Sequence, residues 1–172
     1  MGTVTSSTST GCYPGTFDPP TIAHLAIAEA ARAQCDLDRV DLVVSRDPLG
    51  KPGAGESLAR RVVALEAVAA SRPWLGVVVT DERHLADIAA GYDVLVLGAD
   101  KWVQVLDPAF YDSLDHRDES VARLPHLAVA PRGDLPLPDH CTRLDVALHD
   151  VSSTAARAGR RDLVLPEALE GP

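Results

Sequence analysis

The sequence predicts a Rossmann-like α/β fold, a doubly wound parallel sheet of five or six strands with helices on both faces. Short apolar runs alternate with helical patterns along the chain, and this alternation is typical of parallel strands joined by right-handed crossovers. The 172 residues are enough for one well-buried domain. No break in composition divides the chain, so we expect a single domain over residues 8–172, preceded by a flexible tail over residues 1–7.

The first half of the chain is expected to hold three strands. Residues 8–13 predict the first strand, although Thr, Ser and Cys occupy positions that are usually apolar in a buried parallel strand. The assignment is kept because Thr is tolerated in strands. Apolar periodicity then predicts a helix over residues 22–33, a strand over 39–45, a loop rich in Gly and Pro over 47–55, a helix over 56–71 and a strand over 75–80.

The second half continues the alternation. Residues 93–97 form the clearest buried strand, which runs directly into Gly98-Ala99-Asp100, and strand ends of this kind line the ligand crevice of α/β sheets. Pro108 is expected to break the helical pattern over residues 101–114. The other predicted elements are a short helix at 85–90, a charged loop at 115–120, strands at 127–130 and 143–148, a Pro-rich connector at 131–139 and a short helix from Ser152.

The overall charge limits the class of partner. Acidic residues outnumber basic ones by 25 to 16, which gives a net charge of −9 with His neutral. A broad electrostatic contact with nucleic acid is therefore not expected. Any anion site must be local, formed by helix N-termini and one or two cations, which suits a small phosphorylated substrate. The sequence leaves a homo-oligomer open.

Cysteines and apolar runs indicate the compartment. Cys12, Cys35 and Cys141 are an odd number and lack the spacing of a zinc site, which favours reduced thiols over disulfides and over a structural metal. No run reaches the 18 or so apolar residues of a membrane span, and the polar N-terminus lacks the apolar region of a signal peptide. We therefore expect a soluble, cytoplasmic protein without a membrane partner.

Two separated segments carry the functional signal. The first is Gly15-Thr16-Phe17-Asp18-Pro19-Pro20-Thr21-Ile22-Ala23-His24, in which Gly15 permits close approach of a ligand to the backbone. Thr21 and His24 lie at the start of the following helix, where free N–H groups and the helix dipole favour phosphate. The second segment, Ser152-Ser153-Thr154-Ala155-Ala156-Arg157, opens another helix and places a guanidinium one turn later. Together they predict a nucleoside triphosphate site.

These segments resemble the signature of the nucleotidyltransferase superfamily, which includes nicotinate mononucleotide adenylyltransferase and phosphopantetheine adenylyltransferase. Its members carry Gly-x-Phe-Asp-Pro followed by a His/Thr-x-Gly-His element, and Ser-Ser-Thr-x-x-Arg resembles their second phosphate motif. The resemblance spans residues 10–169 and departs from the pattern at Ala23, where the family has Gly. It implies transfer of a nucleotidyl group from ATP, which brings Mg²⁺, to a phosphorylated acceptor, with release of pyrophosphate.

The resemblance also implies roles for individual residues. His24 would donate a hydrogen bond to phosphate oxygens, Arg157 would hold the β- and γ-phosphates, and with Thr21 they are the catalytic candidates. The candidates for ATP binding are Gly15, Thr16, Phe17, Thr21, His24, Gly98, Asp100, Ser152, Ser153, Thr154 and Arg157.

Several of these residues have a structural alternative. His24 could be a surface helix histidine, Arg157 could form a surface salt bridge, and the Thr and Ser residues could be helix caps. Asp18 is expected to shape its turn by accepting hydrogen bonds from nearby backbone N–H groups.

Acceptor-binding residues lie outside the two segments. Lys51 occupies the loop in which family members place a basic residue near the substrate phosphate, and a solvated lysine is the alternative. Arg60 or Arg61 could take the same role. Trp102 follows Asp100 and is the candidate for stacking on a base or pyridine ring, with core packing as the alternative.

The motifs favour nicotinate mononucleotide as the acceptor. Tyr13-Pro14-Gly15 and Thr21 look like phosphopantetheine adenylyltransferase, whereas Gly98-Ala99-Asp100 and the Ser152 segment look like nicotinate mononucleotide adenylyltransferase. The second set is longer and lies where the two families differ. A phosphopantetheine acceptor, a cytidylyltransferase acting on a small phosphorylated alcohol, and a nucleotide-binding protein without turnover remain open. The sequence has no Walker A, G-x-G-x-x-G or G-x-S-x-G motif, so kinase, dehydrogenase and hydrolase classes lack their defining residues.

Overall fold

The computed structural model describes residues 7–48, 57–147 and 153–169. The strands are β1 (Thr10–Pro14), β2 (Arg39–Ser45), β3 (Leu75–Thr80), β4 (Val94–Gly98), β5 (His126–Ala130) and β6 (Cys141–Arg143). The α-helices are α1 (Ile22–Gln34), α2 (Leu58–Ala69), α3 (Leu85–Ile88), α4 (Ala99–Leu106), α5 (Leu114–Ala122), α6 (Ser153–Arg157) and α7 (Pro166–Leu169), with 3-10 helices at Pro108–Phe110 and Arg161–Leu163.

The six strands form one parallel sheet in the order β3-β2-β1-β4-β5-β6. The chain builds outwards from β1 to β3, returns to the centre at β4, and then builds outwards on the other side. This reversal between β1 and β4 creates a crevice at the carboxyl ends of the two strands. The predicted Rossmann-like doubly wound fold is confirmed.

Alternate residues of the strands face two separate hydrophobic clusters. Val94 and Val96 of β4 join the cluster that contains helices α1 and α2, while Leu95 and Leu97 join the cluster that contains α4. Successive strand side chains point to opposite faces of a sheet, so a strand buried on both sides needs a continuous apolar run. The near-continuous Val and Leu of β2, β3 and β4 follow from this requirement.

The central strand β1 is short and less apolar than its neighbours. It pairs with β2 on one side and β4 on the other, and a Cβ atom at Gly11 would lie 2.7 Å from Cδ1 of Leu37. Cys12 and Tyr13 are buried. Close packing therefore selects small side chains at the start of this strand, which explains why an apolar pattern identifies it poorly.

Two predicted elements are wrong. Residues 115–120, predicted to be a charged loop, lie within helix α5, where the Ser113 side chain caps the helix by accepting a 3.1 Å hydrogen bond from the His116 N–H group. The sixth strand is β6, at Cys141–Arg143, and not at 143–148. Leu144 and Val146 are buried without belonging to a strand, so their apolar character reflects packing against the sheet edge. Residue 148 is outside the described ranges.

A partly buried polar network around the buried Asp41 lies near the start of β2. The Asp41 carboxylate accepts hydrogen bonds from Arg39 Nε at 2.7 Å and from the Tyr92 hydroxyl at 3.0 Å. Burial, together with the nearby Asp41 charge, raises the pKa of Tyr92 above its ordinary value. The network joins β2 to the loop that precedes β4 and satisfies a carboxylate that would otherwise be costly to bury.

In the part of the chain that the structure describes, no helix combines the length and the apolar character needed to cross a bilayer.

Candidate functional site

A cleft of about 290 Å³ opens where the strands β1, β2 and β4 end. Its walls come from the loop after β1, the first turns of α1, the start of α4 and the helix α6. Residues as far apart in the sequence as Gly15 and Arg157 therefore share one concave surface. Most of the predicted site lies here: Gly15, Thr16, Phe17, His24, Gly98, Asp100, Ser153, Thr154 and Arg157 all line the cleft.

The loop after β1 is tightly built. The Gly15 N–H group donates a 3.0 Å hydrogen bond to the Val43 carbonyl. A Cβ atom at Gly15 would lie 2.8 Å from the Phe17 ring, so glycine is required here for space. Phe17 is 1% exposed and has a φ of 47°, which is uncommon for a large side chain. The ring folds back under its own loop and fixes the floor of the cleft.

His24 is oriented by contacts on one of its two ring nitrogens. Its Nδ1 atom accepts a 2.9 Å hydrogen bond from the Thr21 backbone N–H and lies 3.0 Å from Thr21 Oγ1. A neutral imidazole that accepts at Nδ1 carries its proton on Nε2. The ring also packs edge-on against Phe17, with 4.9 Å between centroids. His24 thus presents an N–H donor from a fixed ring on the cleft wall.

Thr21 lies behind the cleft rather than in it. It is the N-cap of α1, is fully buried, and pairs with Val164 in an isolated antiparallel bridge. Its contacts with His24 Nδ1 make it a residue that orients the histidine. Ala23, where the family pattern has glycine, lies beside it and contributes to the cleft wall.

The second segment is bonded directly to the first. Ser153 Oγ donates a 2.9 Å hydrogen bond to the Pro19 carbonyl, and Arg157 Nη1 donates to the Asp18 carbonyl. Arg157 also has Nη2 3.3 Å from Thr154 Oγ1, and half of its side chain remains exposed. The guanidinium therefore both joins the segments and faces the cleft. Ser152 lies outside the described residues.

The end of β4 supplies the opposite wall. Gly98 caps α4, and the exposed Asp100 carboxylate lies 3.8 Å from Arg132 Nη1. Burial and, secondarily, the Asp100 charge raise the pKa of Tyr13, whose ring lies beneath this part of the cleft. A tyrosine in that setting stays un-ionised at neutral pH and packs as a ring.

Of the acceptor-binding candidates that the structure describes, neither Arg60 nor Trp102 lines the cleft. Trp102 is 8% exposed and packs in the core with Val105, which corresponds to the core-packing alternative rather than to stacking on a ligand ring. Arg60 is exposed on α2 and is not among the residues that line the cleft. Lys51 lies outside the described residues.

Several cleft residues were not identified from the sequence. His84 and Tyr111 stack at 5.4 Å between ring centroids, and Arg83, Lys101 and Arg132 bring cationic groups to the walls. None belongs to a motif. Arg83, His84 and Arg132 do follow the carboxyl ends of β3 and β5, so their position after a parallel strand was a signal that could have identified them.

The cleft is locally cationic in an acidic protein. The described residues that line it include four Arg or Lys side chains and one carboxylate, namely Arg83, Lys101, Arg132, Arg157 and Asp100. The chain as a whole has a net charge of −9. Cations gathered within a cleft attract a polyanion much more effectively than a scattered surface charge would. The arrangement suits a ligand with several phosphate groups.

Comparison with known proteins agrees with this arrangement. The family model described as cytidylyltransferase-like matches residues 12–159. The chain is 31% identical over 138 residues to a probable nicotinate-nucleotide adenylyltransferase of Cellvibrio japonicus, covering 74% of this chain and 64% of that protein. It is 32% identical over 140 residues to the protein of the same name from Laribacter hongkongensis, covering 76% and 62%. These matches span less than two thirds of the relatives' own length.

The fold is shared with a solved adenylyltransferase. The structure of Plasmodium falciparum nicotinic acid mononucleotide adenylyltransferase complexed with NaAD matches with a TM-score of 0.73, at 13% sequence identity. The match covers 95% of this chain and 94% of that one. At this level of identity the likeness concerns the fold alone.

Proposed function

The chain belongs to the cytidylyltransferase-like family, and on that premise we propose that it transfers AMP from ATP to nicotinate mononucleotide with release of pyrophosphate. The observation that carries the proposal is the convergence of the two phosphate segments on one cationic cleft. Ser153 and Arg157 reach the backbone carbonyls of Pro19 and Asp18, so the segments form one wall.

In the proposed reaction the nucleotidyl group is transferred directly, without a covalent intermediate. A phosphate oxygen of the acceptor attacks the α-phosphorus of ATP, the new P–O bond forms, and the bond to pyrophosphate breaks in line with it. The chain supplies positioning and stabilisation of the charge that moves onto the leaving group. His24 donates from Nε2, and the exposed half of Arg157 is available to the β- and γ-phosphates.

Magnesium belongs to the substrate in this proposal. Among the described residues, no group of three or more His, Cys, Asp or Glu side chains is placed to hold a metal ion. Mg²⁺ commonly keeps several waters and binds through substrate phosphates. We therefore assign it to the ATP complex, with the cleft cations neutralising the charge that the metal leaves uncompensated.

The choice of acceptor rests on two features. The relatives at 31% and 32% identity carry the name nicotinate-nucleotide adenylyltransferase. The cleft also offers a stacked aromatic surface, His84 on Tyr111, next to cations that suit a carboxylate or a phosphate. This surface replaces the buried Trp102 as the candidate for a pyridine ring. Lys51 remains a proposed ligand of the acceptor phosphate.

A substrate panel tests the proposal. The protein is incubated with Mg²⁺ and either ATP or CTP, together with nicotinate mononucleotide, nicotinamide mononucleotide or phosphopantetheine, and pyrophosphate is measured. We expect the fastest release with ATP and nicotinate mononucleotide. Faster release with CTP, or with phosphopantetheine, would replace the acceptor assignment. A rise in melting temperature with MgATP but no pyrophosphate in any combination would indicate a nucleotide-binding protein without turnover.

A further inference from the structure

One arginine outside the cleft forms a hydrogen bond to the loop that follows β1. Arg61, on α2, is 4% exposed, and its Nη1 atom donates a 2.9 Å hydrogen bond to the Thr16 carbonyl. Thr16 lines the cleft and Arg61 does not. The guanidinium therefore reaches the loop from the protein interior.

Burial of the Arg61 charge is unfavourable for the free energy of folding. No carboxylate of the described ranges forms an ion pair with Arg61, and its Nε atom is buried without a hydrogen-bond partner among those residues. A buried charge without a counterion is strongly unfavourable, and an apolar side chain of similar size is often at least as stabilising. Folding stability therefore does not explain why an arginine occupies this position.

The hydrogen bond fixes the orientation of one peptide group. The Thr16–Phe17 peptide is trans and planar, so its carbonyl and its N–H point in opposite directions. Holding the carbonyl towards the interior therefore turns the Phe17 N–H away from the interior, and Gly15, Thr16 and Phe17 all line the cleft. Phe17 has a φ of 47°, which a large side chain adopts only when its surroundings enforce it.

The same contact reaches His24 through a ring. Phe17, directly after the bonded peptide, packs its ring between Tyr13 and His24, with centroid distances of 5.5 and 4.9 Å. A rotation of the Thr16–Phe17 peptide would move this ring and the histidine that rests on it.

We infer that Arg61 is a positioning residue for nucleotidyl transfer. It holds the loop so that the Phe17 N–H faces the triphosphate and the Phe17 ring supports His24. The expected effect of Arg61 on turnover rests on the proposed function, whereas its effect on the His24 ring does not depend on any activity.

Three variants separate positioning from general stability. Arg61→Met removes the donor and the charge, whereas Arg61→Lys retains one charged donor for the single carbonyl. Arg72→Met is the matched control, because Arg72 is also partly buried and donates to the Val68 carbonyl and to Glu167, away from the cleft. Each variant is compared for kcat, for the KM of nicotinate mononucleotide, for melting temperature and for the NMR signals of the His24 ring, assigned with His24→Ala.

Arg61→Met is expected to lower kcat about 10²-fold, the scale reported for a displacement of about 1 Å in a catalytic site, with little change in the acceptor KM. It should also shift the His24 ring signals. Arg61→Lys should restore part of both effects, and Arg72→Met should lower the melting temperature without either. Parental kcat and unshifted His24 signals in Arg61→Met would overturn the inference. If Arg61→Met does not fold, Arg61→Lys takes its place in the test. Unshifted His24 signals and parental kcat in Arg61→Lys would then overturn the inference.

Failure of the proposed function gives a different result. If the parent protein releases no pyrophosphate with any nucleotide and acceptor, adenylyl transfer is wrong. The His24 signals then decide the positioning role alone: a shift in Arg61→Met that is absent from Arg72→Met supports it, and the lack of such a shift contradicts it.

Discussion

His24 is oriented by hydrogen bonding at one of its ring nitrogens, Nδ1. Because Nδ1 accepts from the Thr21 N–H, Nε2 carries the proton of the neutral ring. We predict that His24→Ala lowers kcat by about 10²–10³, the usual loss when one donor to developing charge is removed. The lost hydrogen bond at the start of α1 should cost about 0.5–1.5 kcal/mol of unfolding free energy. Pyrophosphate release and urea titrations measure the two effects.

A second histidine provides the control for that prediction. His126 lies on β5 and bonds Thr142 at 2.8 Å, outside the cleft. His126→Ala should keep the parental kcat. A His24→Ala protein with parental turnover would contradict the catalytic assignment, and an unfolded one would make His24 structural.

Arg157 has two tasks that a pair of substitutions can separate. It donates to the Asp18 carbonyl and exposes half of its side chain to the cleft. We predict that Arg157→Lys retains most of the melting temperature but loses about tenfold or more in kcat, since a point charge lacks the planar fork that fits phosphate oxygens.

The neighbouring Arg160 is a suitable comparison for Arg157, because it is exposed and paired with Asp162. Arg160→Lys should leave kcat and the KM for ATP unchanged. If Arg157→Lys and Arg160→Lys have the same kcat and KM for ATP, Arg157 forms a surface salt bridge and has no role in phosphate binding.

At the level of elements, apolar patterns predicted those strands and helices that are buried on a clear face. The bounds of β2 and β3 agree with the prediction, and the break at Pro108 is confirmed. Helix α5 was missed because it has few apolar residues and is specified by its Ser113 cap. The sixth strand was misplaced because Leu144 and Val146 are buried by tertiary packing, which a local pattern cannot distinguish from a strand.

The same difference between local pattern and tertiary packing explains which site residues could be predicted from the sequence. Glycines, histidine and the Ser-Ser-Thr segment could be predicted because phosphate binding imposes a spacing within one stretch of chain. His84, Tyr111 and Arg132 come from three different connections, and only the assembled sheet brings them together. Arg61 looks like any helical arginine until its burial is known.

The network around Asp41 is an element of stability that lies away from the cleft. Asp41 is 7% exposed and satisfies both Arg39 and Tyr92. We predict that Asp41→Asn lowers the free energy of unfolding by about 1–3 kcal/mol, because a buried charged hydrogen bond is replaced by a weaker one. Asp81→Asn, which changes an exposed partner of Arg46, should stay within about 0.5 kcal/mol. Urea titrations compare the two, and equal values would contradict a structural role for the network. Turnover should survive in both.

For the whole molecule, buried thiol and phenol groups predict loss of stability in alkali. Burial and, secondarily, Asp41 raise the pKa of Cys12 from 9.0 to about 12, and burial raises the pKa of Tyr13 and Tyr92 as well. A raised folded-state pKa means that the stabilisation is complete below the unfolded pKa and is lost as pH rises towards the folded one.

The free energy of unfolding should therefore fall between pH 9 and 12, with Cys12 contributing up to about 1.4 kcal/mol per pH unit. Urea titrations from pH 7 upwards test this. Cys12→Ala should flatten the decline just above pH 9, where the tyrosines do not yet titrate. An identical decline in that variant would show that the thiol does not contribute.

In the proposed reaction the α-phosphorus of ATP is transferred to a phosphorylated acceptor. The most direct measurement follows labelled phosphorus from MgATP, labelled either at the α or at the γ position, in a reaction with nicotinate mononucleotide. We expect the α label in a dinucleotide product and the γ label in pyrophosphate. A γ label in the acceptor product, or an α label recovered only in free AMP, would contradict it, because the first result indicates phosphoryl transfer and the second indicates hydrolysis.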